Sequence, residues 1–123
     1  MTSTTLPETV RLAAATAHDK KAFDIVVLDL RARGAFTDHF VLCSGRSTRQ
    51  VKAIVDGITE RLREEGRRPS LVEGYDHAEW VLIDCFDVVI HVFTDETRRF
   101  YDLERLWGSA ERIEYPFGEA AHG

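Results

Sequence analysis

Residues 47–66 constrain the fold more than any other stretch of this chain. Val51, Ile54, Val55, Ile58 and Leu62 recur at i, i+3, i+4, i+7 and i+11, which puts all five on one face of an α-helix. Arg49, Lys52, Asp56, Glu60, Arg61 and Glu64 take the opposite, wet face. Ser47-x-x-Gln50 is a capping box that starts the helix. Gly66 supplies its stop, and Pro69 forbids continuation. A helix that is apolar along one stripe only must lay that stripe on a partner layer.

The flanking sequence supplies the partner as extended runs. Residues 22–30 are β-branched and apolar on both faces in the middle, the pattern of an interior strand. His39-Phe-Val-Leu-Cys43 is a second strand, broken by Ser44-Gly45-Arg46. Leu71-Val-Glu-Gly74 is a short extended piece. Trp80 to Asp84 and Val88 to Phe93 are two strands separated only by Cys85-Phe86-Asp87, which suits a tight antiparallel hairpin. Two more helices flank these runs. The first is capped by Thr5 with Glu8, takes Pro7 in its first turn and carries the small stripe Val10, Ala13, Ala14 and Ala17. The last is capped by Thr94, with Phe100, Leu103, Leu106 and Trp107 as its apolar face and Gly108 as its end.

The order α-β-β-α-β-β-β-α predicts an α+β domain, a mixed sheet with helices packed on it. A single folded unit is expected over residues 5–107, with 1–4 and 108–123 as flexible ends. At 44% hydrophobic and 30% charged residues the chain lies in the range of globular domains, away from disordered sequences. Its 16 basic and 21 acidic side chains give a net charge of −5, which argues against a protein that grips nucleic acid with a broad basic face. No apolar run approaches the roughly 18 residues of a membrane helix. The first residues lack the basic and apolar regions of a secretory leader. The expectation is therefore a cytoplasmic protein in which Cys43 and Cys85, both inside apolar runs, stay reduced.

Catalytic constellations are sparse. None of His18, His39, His77, His91 and His122 has metal-ligand spacing, and His91 reads as a core histidine rather than a ligand. No metal or other cofactor is expected. Ser44-Gly45-Arg46-Ser47 leads into a helix N-terminus, a turn that suits an anion and opens the alternative of a nucleotide-binding or nucleotidyltransferase-type enzyme. Such an enzyme needs carboxylates converging on metal ions. No Asp-x-Asp or Glu-x-Glu follows residue 47, and Asp84 and Asp87 are three apart across a strand end. A capped helix start is the simpler account, and no enzyme is expected.

The hairpin region has more recognition chemistry. Tyr75, Trp80, Phe86 and Tyr101 are large aromatics among the acidic Glu73, Asp76, Glu79, Asp84 and Asp87. Aromatic anchors with an acidic rim suit a basic protein partner. Alternation puts Trp80, Leu82 and Asp84 on one face and Val81 and Ile83 on the other, which leaves Trp80 between core and surface. A strand edge near Trp80 also offers self-pairing.

A collinear set of segments carries a resemblance. These are Lys20 to Leu30, Phe36-Thr-Asp-His-Phe-Val-Leu-Cys-Ser-Gly45 and Ser47-Thr-Arg-Gln-Val-Lys-Ala-Ile54. Further on come Glu73-Gly-Tyr75, Glu79-Trp-Val-Leu-Ile-Asp84, Asp87-Val-Val-Ile-His-Val-Phe93 and Arg99-Phe-Tyr-Asp-Leu-Glu-Arg-Leu-Trp107. In this order and spacing, from about residue 8 to 107, the chain resembles the bacterial ribosomal silencing factor family (RsfS, or Iojap). The resemblance implies a nucleotidyltransferase-like fold without catalytic carboxylates. It implies a translational repressor that binds the large ribosomal subunit through ribosomal protein L-fourteen and sterically blocks joining of the small subunit. The net charge of −5 predicts little direct RNA contact, because phosphates repel it, and the lack of a long apolar run predicts no membrane. The resemblance implies a monomeric or homodimeric free protein. Carried over by position, the partner-binding residues are Trp80, Leu82, Asp84 and Asp87, with Tyr75 and Asp76 beside them. The chain departs from the family at Cys85-Phe86, where Tyr-Gly is common; a non-glycine there restricts the turn.

Overall fold

The computed structural model describes residues 6–33 and 37–117. Helix α1 (Glu8–Asp19) leads to β1 (Phe23–Asp29), a single helical turn at Arg31–Arg33 and β2 (His39–Gly45). Then come α2 (Thr48–Glu64), β3 (Leu71–Glu73), β4 (Trp80–Asp84) and β5 (Val88–Thr94). Two short helices, α3 (Asp95–Tyr101) and α4 (Leu103–Leu106), precede β6 (Glu111–Glu114). The six strands form one mixed sheet in the order β3-β4-β5-β2-β1-β6. β2 and β5 are parallel, and every other neighbouring pair is antiparallel. The expected α+β architecture is what the chain adopts.

The two faces of the sheet are unequal. The first is covered by α1 and α2, whose Val10, Ala13, Ala14, Ala17, Val51, Ile54, Val55, Ile58 and Leu62 are all buried. They pack on Val27, Val41, Cys43, Val81, Ile83, Ile90 and Val92. The alanine stripe brings α1 close; at Gly45 an added Cβ would lie 3.2 Å from the Val51 side chain, so glycine lets α2 approach β2. The second face buries Val26, Leu28, Leu30, Phe40, Leu42, Val89 and Phe93 beneath Leu103, Trp107 and Ala110. That cover stops short. On the same face Trp80, Leu82 and Asp84 of β4 are only half-buried, and β3 is exposed throughout.

Four details differ from expectation. The folded chain runs past residue 107: β6 pairs with β1, Val27 opposite Ile113, and Phe117 is buried in the first-face core. Residues 118–123 lie outside the described residues. Glu-Arg-Ile-Glu has one apolar side chain; main-chain pairing with β1, not a hydrophobic pattern, makes it a strand. Helix α1 starts at Glu8 after an extended Pro7, which stands at its N-cap rather than in its first turn; Thr5 lies outside the described residues. β2 continues through Ser44 and Gly45, which pair with Phe93 and Thr94. The last helix is two: Asp102 is left-handed at φ 49° and interrupts it, a conformation aspartate tolerates better than most residues. Only Leu103 and Trp107 then reach the sheet, while Phe100 and Leu106 stand 79% and 74% exposed.

Candidate docking face

The β4–β5 hairpin sets the register of the uncovered face. Trp80 lies opposite Phe93, Leu82 opposite His91 and Asp84 opposite Val89. The Trp80 indole packs on Phe93 at 5.3 Å and on Tyr101 of α3 at 4.9 Å between ring centroids. Its Nε1–H donates to His91 Nδ1 at 3.0 Å, across the diagonal of the antiparallel pair. A histidine that accepts at Nδ1 and stays neutral carries its proton on Nε2. That Nε2 is buried without a partner, and burial pushes the His91 pKa down to about 4. The sequence reading of His91 as a core residue fits this environment; its bond to Trp80 has no sequence signature, because it depends on the register between two strands.

At the hairpin tip Asp84 Oδ1 accepts from the Phe86 amide at 2.8 Å, and Cys85 N–H donates to the Val88 carbonyl at 2.8 Å. The Asp87 carbonyl accepts from the amides of Asp38 and His39, and Thr37 Oγ1 donates to the Phe86 carbonyl. These bonds tie the tip to the start of β2. Phe86 is held at φ 78°, in the left-handed region, and the residue is 81% exposed. A bulky side chain there is strained by roughly 1–2 kcal/mol. Phe86→Gly is expected to raise stability by about 1 kcal/mol, read as a melting temperature a few degrees higher. An unchanged or lower melting temperature would show that the tip is not strained.

The structure brings Trp80, Leu82 and Asp84 together on one face, with the exposed Asp87 at its end. It does not bring Tyr75 to them. Tyr75 lies against the first-face core, donates its hydroxyl to Asp56 Oδ1 of α2 at 2.9 Å and carries the Lys52 ammonium over its ring. Asp76 is exposed in the turn between Tyr75 and Trp80. Gly74 opens that turn at φ 84°; a Cβ there would sit 2.3 Å from the Trp80 carbonyl oxygen. Along Leu82–Asp84 this edge of the sheet belongs to β3, which pairs Leu71 with Asp84, Val72 with Ile83 and Glu73 with Leu82. The sequence reading missed the exposure of Phe100 and Leu106, which follows from the break at Asp102.

Elsewhere the chemistry is inward. Ser47 Oγ accepts from Gln50 N, and the Gln50 amide ties Arg46 N–H to the Lys21 carbonyl, so this turn is a helix cap joined to the preceding loop. The Ser44 hydroxyl accepts from Arg98. The cleft of about 640 Å³ beside this turn is lined by Glu79, Asp95 and Glu96 as well as Arg46 and Arg99, and Arg99 pairs with Asp95. Burial raises Cys43 to about 12 and Cys85 to about 11, so neither thiol is activated. Among the described residues no three His, Cys, Asp or Glu side chains converge as metal ligands. Among them, too, no helix is long and apolar enough to cross a membrane.

The geometry defines an α+β domain with one sheet face left partly uncovered, where Trp80, Leu82 and Asp84 stand half-buried. The family described as "Ribosomal silencing factor during starvation" matches residues 3–122. The "Ribosomal silencing factor RsfS" of Bacillus subtilis strain 168 is 42% identical over 109 residues, 89% of this chain and 92% of that one. The chloroplastic protein Iojap of Zea mays is 36% identical over 107 residues, 85% of this chain and 45% of that one. A crystal structure of a Chromobacterium violaceum protein superposes with a TM-score of 0.81 at 36% identity, covering 85% of this chain and 88% of that one. The chain belongs to the ribosomal silencing factor family, whose name denotes a silencing factor and not an enzyme.

Proposed function

We propose that this protein is a translational repressor that docks on the large ribosomal subunit through ribosomal protein L-fourteen and sterically blocks joining of the small subunit. The observation that carries the reading is the uncovered part of the sheet, where Trp80 and Leu82 are half-buried beside Asp84, with Asp87 exposed at the hairpin tip. An aromatic anchor rimmed by carboxylates complements a basic protein, and the net charge of −5 favours such a partner over the RNA backbone. Family membership supports the ribosome as the target, as does a mouse relative named for assembly of the mitochondrial ribosomal large subunit, 34% identical over 93 residues. Asp76, exposed in the turn leading into Trp80, belongs to the margin of this surface, whereas Tyr75 is turned to Asp56 of α2 and lies outside it. In a bacterial cell this work is cytoplasmic. The exposed β3 edge is where a second copy would pair; a dimer using the docking surface would compete with the ribosome.

The fold is read as nucleotidyltransferase-like without its catalytic carboxylates. The turn into α2 supports the likeness, and three carboxylates lining the adjacent cleft disfavour a polyphosphate. Co-sedimentation with isolated subunits tests the reading. Wild type is expected to travel with the large subunit alone and to prevent reassociation. Trp80→Ala and Asp87→Arg are each expected to weaken binding at least about tenfold. Asp87 is exposed, so its reversal removes no core packing. Full binding by both variants would refute the surface. Binding of the wild type to neither subunit, with a melting temperature raised by nucleotide and magnesium, would favour the enzyme alternative.

A further inference from the structure

His91 occupies a strand position that an aliphatic residue would fill at lower cost. Its neighbours Ile90 and Val92 are fully buried, and His91 itself is 3% exposed. Its ring lies 4.5 Å from Phe40 and 5.9 Å from Phe93, among aromatics that offer no oxygen or nitrogen acceptor for an imidazole N–H. Nε2 is left buried without a partner. A buried polar group with an unmet donor is unfavourable wherever an apolar group of similar shape fits. The imidazole makes one hydrogen bond there, accepting from the Trp80 indole. Trp80 is the half-buried aromatic of the uncovered face, and the structure holds its ring from three sides: Phe93 beneath, Tyr101 from α3, and His91 at the nitrogen.

We infer that His91 is the positioning residue of the docking face. Its Nδ1 fixes the Trp80 indole in one orientation and turns the indole's only hydrogen-bond donor inward, so that a protein partner meets the ring as an apolar surface and needs no acceptor in its socket. This deepens the docking reading and rests on it. A ring fixed before binding does not lose rotamer freedom on binding, which is where positioning gains affinity. It also defines the partner site: an apolar patch for the ring, with basic groups around it for Asp84 and Asp87.

The test compares His91→Asn with His91→Leu. The two side chains are nearly isosteric, but only asparagine places an acceptor where Nδ1 stands. Leucine is the better core residue, so a purely structural role predicts that His91→Leu binds as well as or better than His91→Asn. Positioning predicts the reverse: His91→Asn within threefold of wild type for isolated large subunits, and His91→Leu at least tenfold weaker. Two-dimensional NMR of the indole N–H groups gives a second readout. The chain has two tryptophans, so the Trp80 signal is the one that disappears in Trp80→Ala. It is expected to exchange slowly in wild type and His91→Asn, and quickly in His91→Leu. Equal binding by the two His91 variants overturns the inference while leaving the docking surface standing. Wild-type binding by Trp80→Ala overturns the role of His91, and wild-type binding by both Trp80→Ala and Asp87→Arg overturns the docking reading with it. Should His91→Leu not fold, His91→Asn decides: wild-type binding with a fast-exchanging indole N–H overturns the inference, and wild-type binding with a protected one supports it.

Discussion

Arg98→Met is expected to destabilise the fold by about 3 kcal/mol, a fall of roughly 10 °C in melting temperature. Arg98 is 6% exposed on a helix of only seven residues, too short to persist without tertiary anchoring. Its Nη1 donates to the Asp24 carbonyl at 2.7 Å and to Ser44 Oγ at 2.9 Å, and its Nε donates to Glu104 Oε1 at 3.1 Å. The Asp24 carbonyl is available because β1 carries an irregularity between Phe23 and Val26, with Asp24 at φ 51°. Glu104 also pairs with Arg112 of β6. One guanidinium thus joins α3 to β1 and β2 and, through Glu104, to β6. Methionine restores the volume but leaves a carbonyl and a hydroxyl without their charged donor, each worth roughly 1–3 kcal/mol when buried. Arg98→Lys recovers less than half of the loss, since one ammonium cannot reproduce the fork. Urea unfolding with an unchanged m-value measures the difference. A loss below about 1 kcal/mol would show that the network is dispensable. Because α3 carries Tyr101 against Trp80, the variant is also expected to weaken docking.

The second large effect is acid destabilisation. Burial holds the His91 pKa at about 4 against its ordinary 6.5. The unfolded chain therefore binds this proton more readily than the folded one across that interval. The stability involved is fully present above pH 6.5 and is lost as the pH falls towards 4. At 1.36 kcal/mol for each tenfold change in proton affinity, the loss is about 3 kcal/mol. His39, also lowered by burial, acts in the same direction. Asp29 is held low first by its hydrogen bond with Arg31; Glu104 is held low by Arg98 and Arg112 against its own burial. The stability these two carboxylates supply is present above the ordinary carboxylate range and is lost only as the pH falls through and below that range. Urea unfolding of wild type and His91→Asn between pH 7 and pH 4 separates the contributions. The wild-type stability is expected to fall more steeply than that of the variant, and parallel curves would refute the assignment to His91.

Much of this protein is legible before folding. The stripe from Val51 to Leu62, the caps at Ser47 and Thr94 and the alternation through β4 stand in the structure as the local pattern predicts, while β5 is a strand buried on both faces from Val88 to Phe93. Each is a local property: a period of 3.6 or 2.0 and a side chain able to bond its own backbone. Trp80, Leu82 and Asp84 share a face for the same reason. Tyr75 shows where local reading ends. It is five residues before Trp80, yet the turn at Gly74 sends it to α2 and Asp56. Phe100 and Leu106 fit a helical stripe on paper, and one left-handed residue at Asp102 turns them to solvent.

The sequence by itself determined the types of the elements from α1 to α3, the α+β class and which side of β4 is apolar, because those depend on neighbours within a few residues. Tertiary structure alone decided that Glu111–Glu114 closes one side of the sheet, that Arg98 meets Asp24 and Ser44, and that His91 reaches the Trp80 indole. Each of these joins segments through main-chain pairing or a single polar contact. Such contacts depend on strand order and register, quantities set by the packing of the whole sheet and written in no short stretch of it.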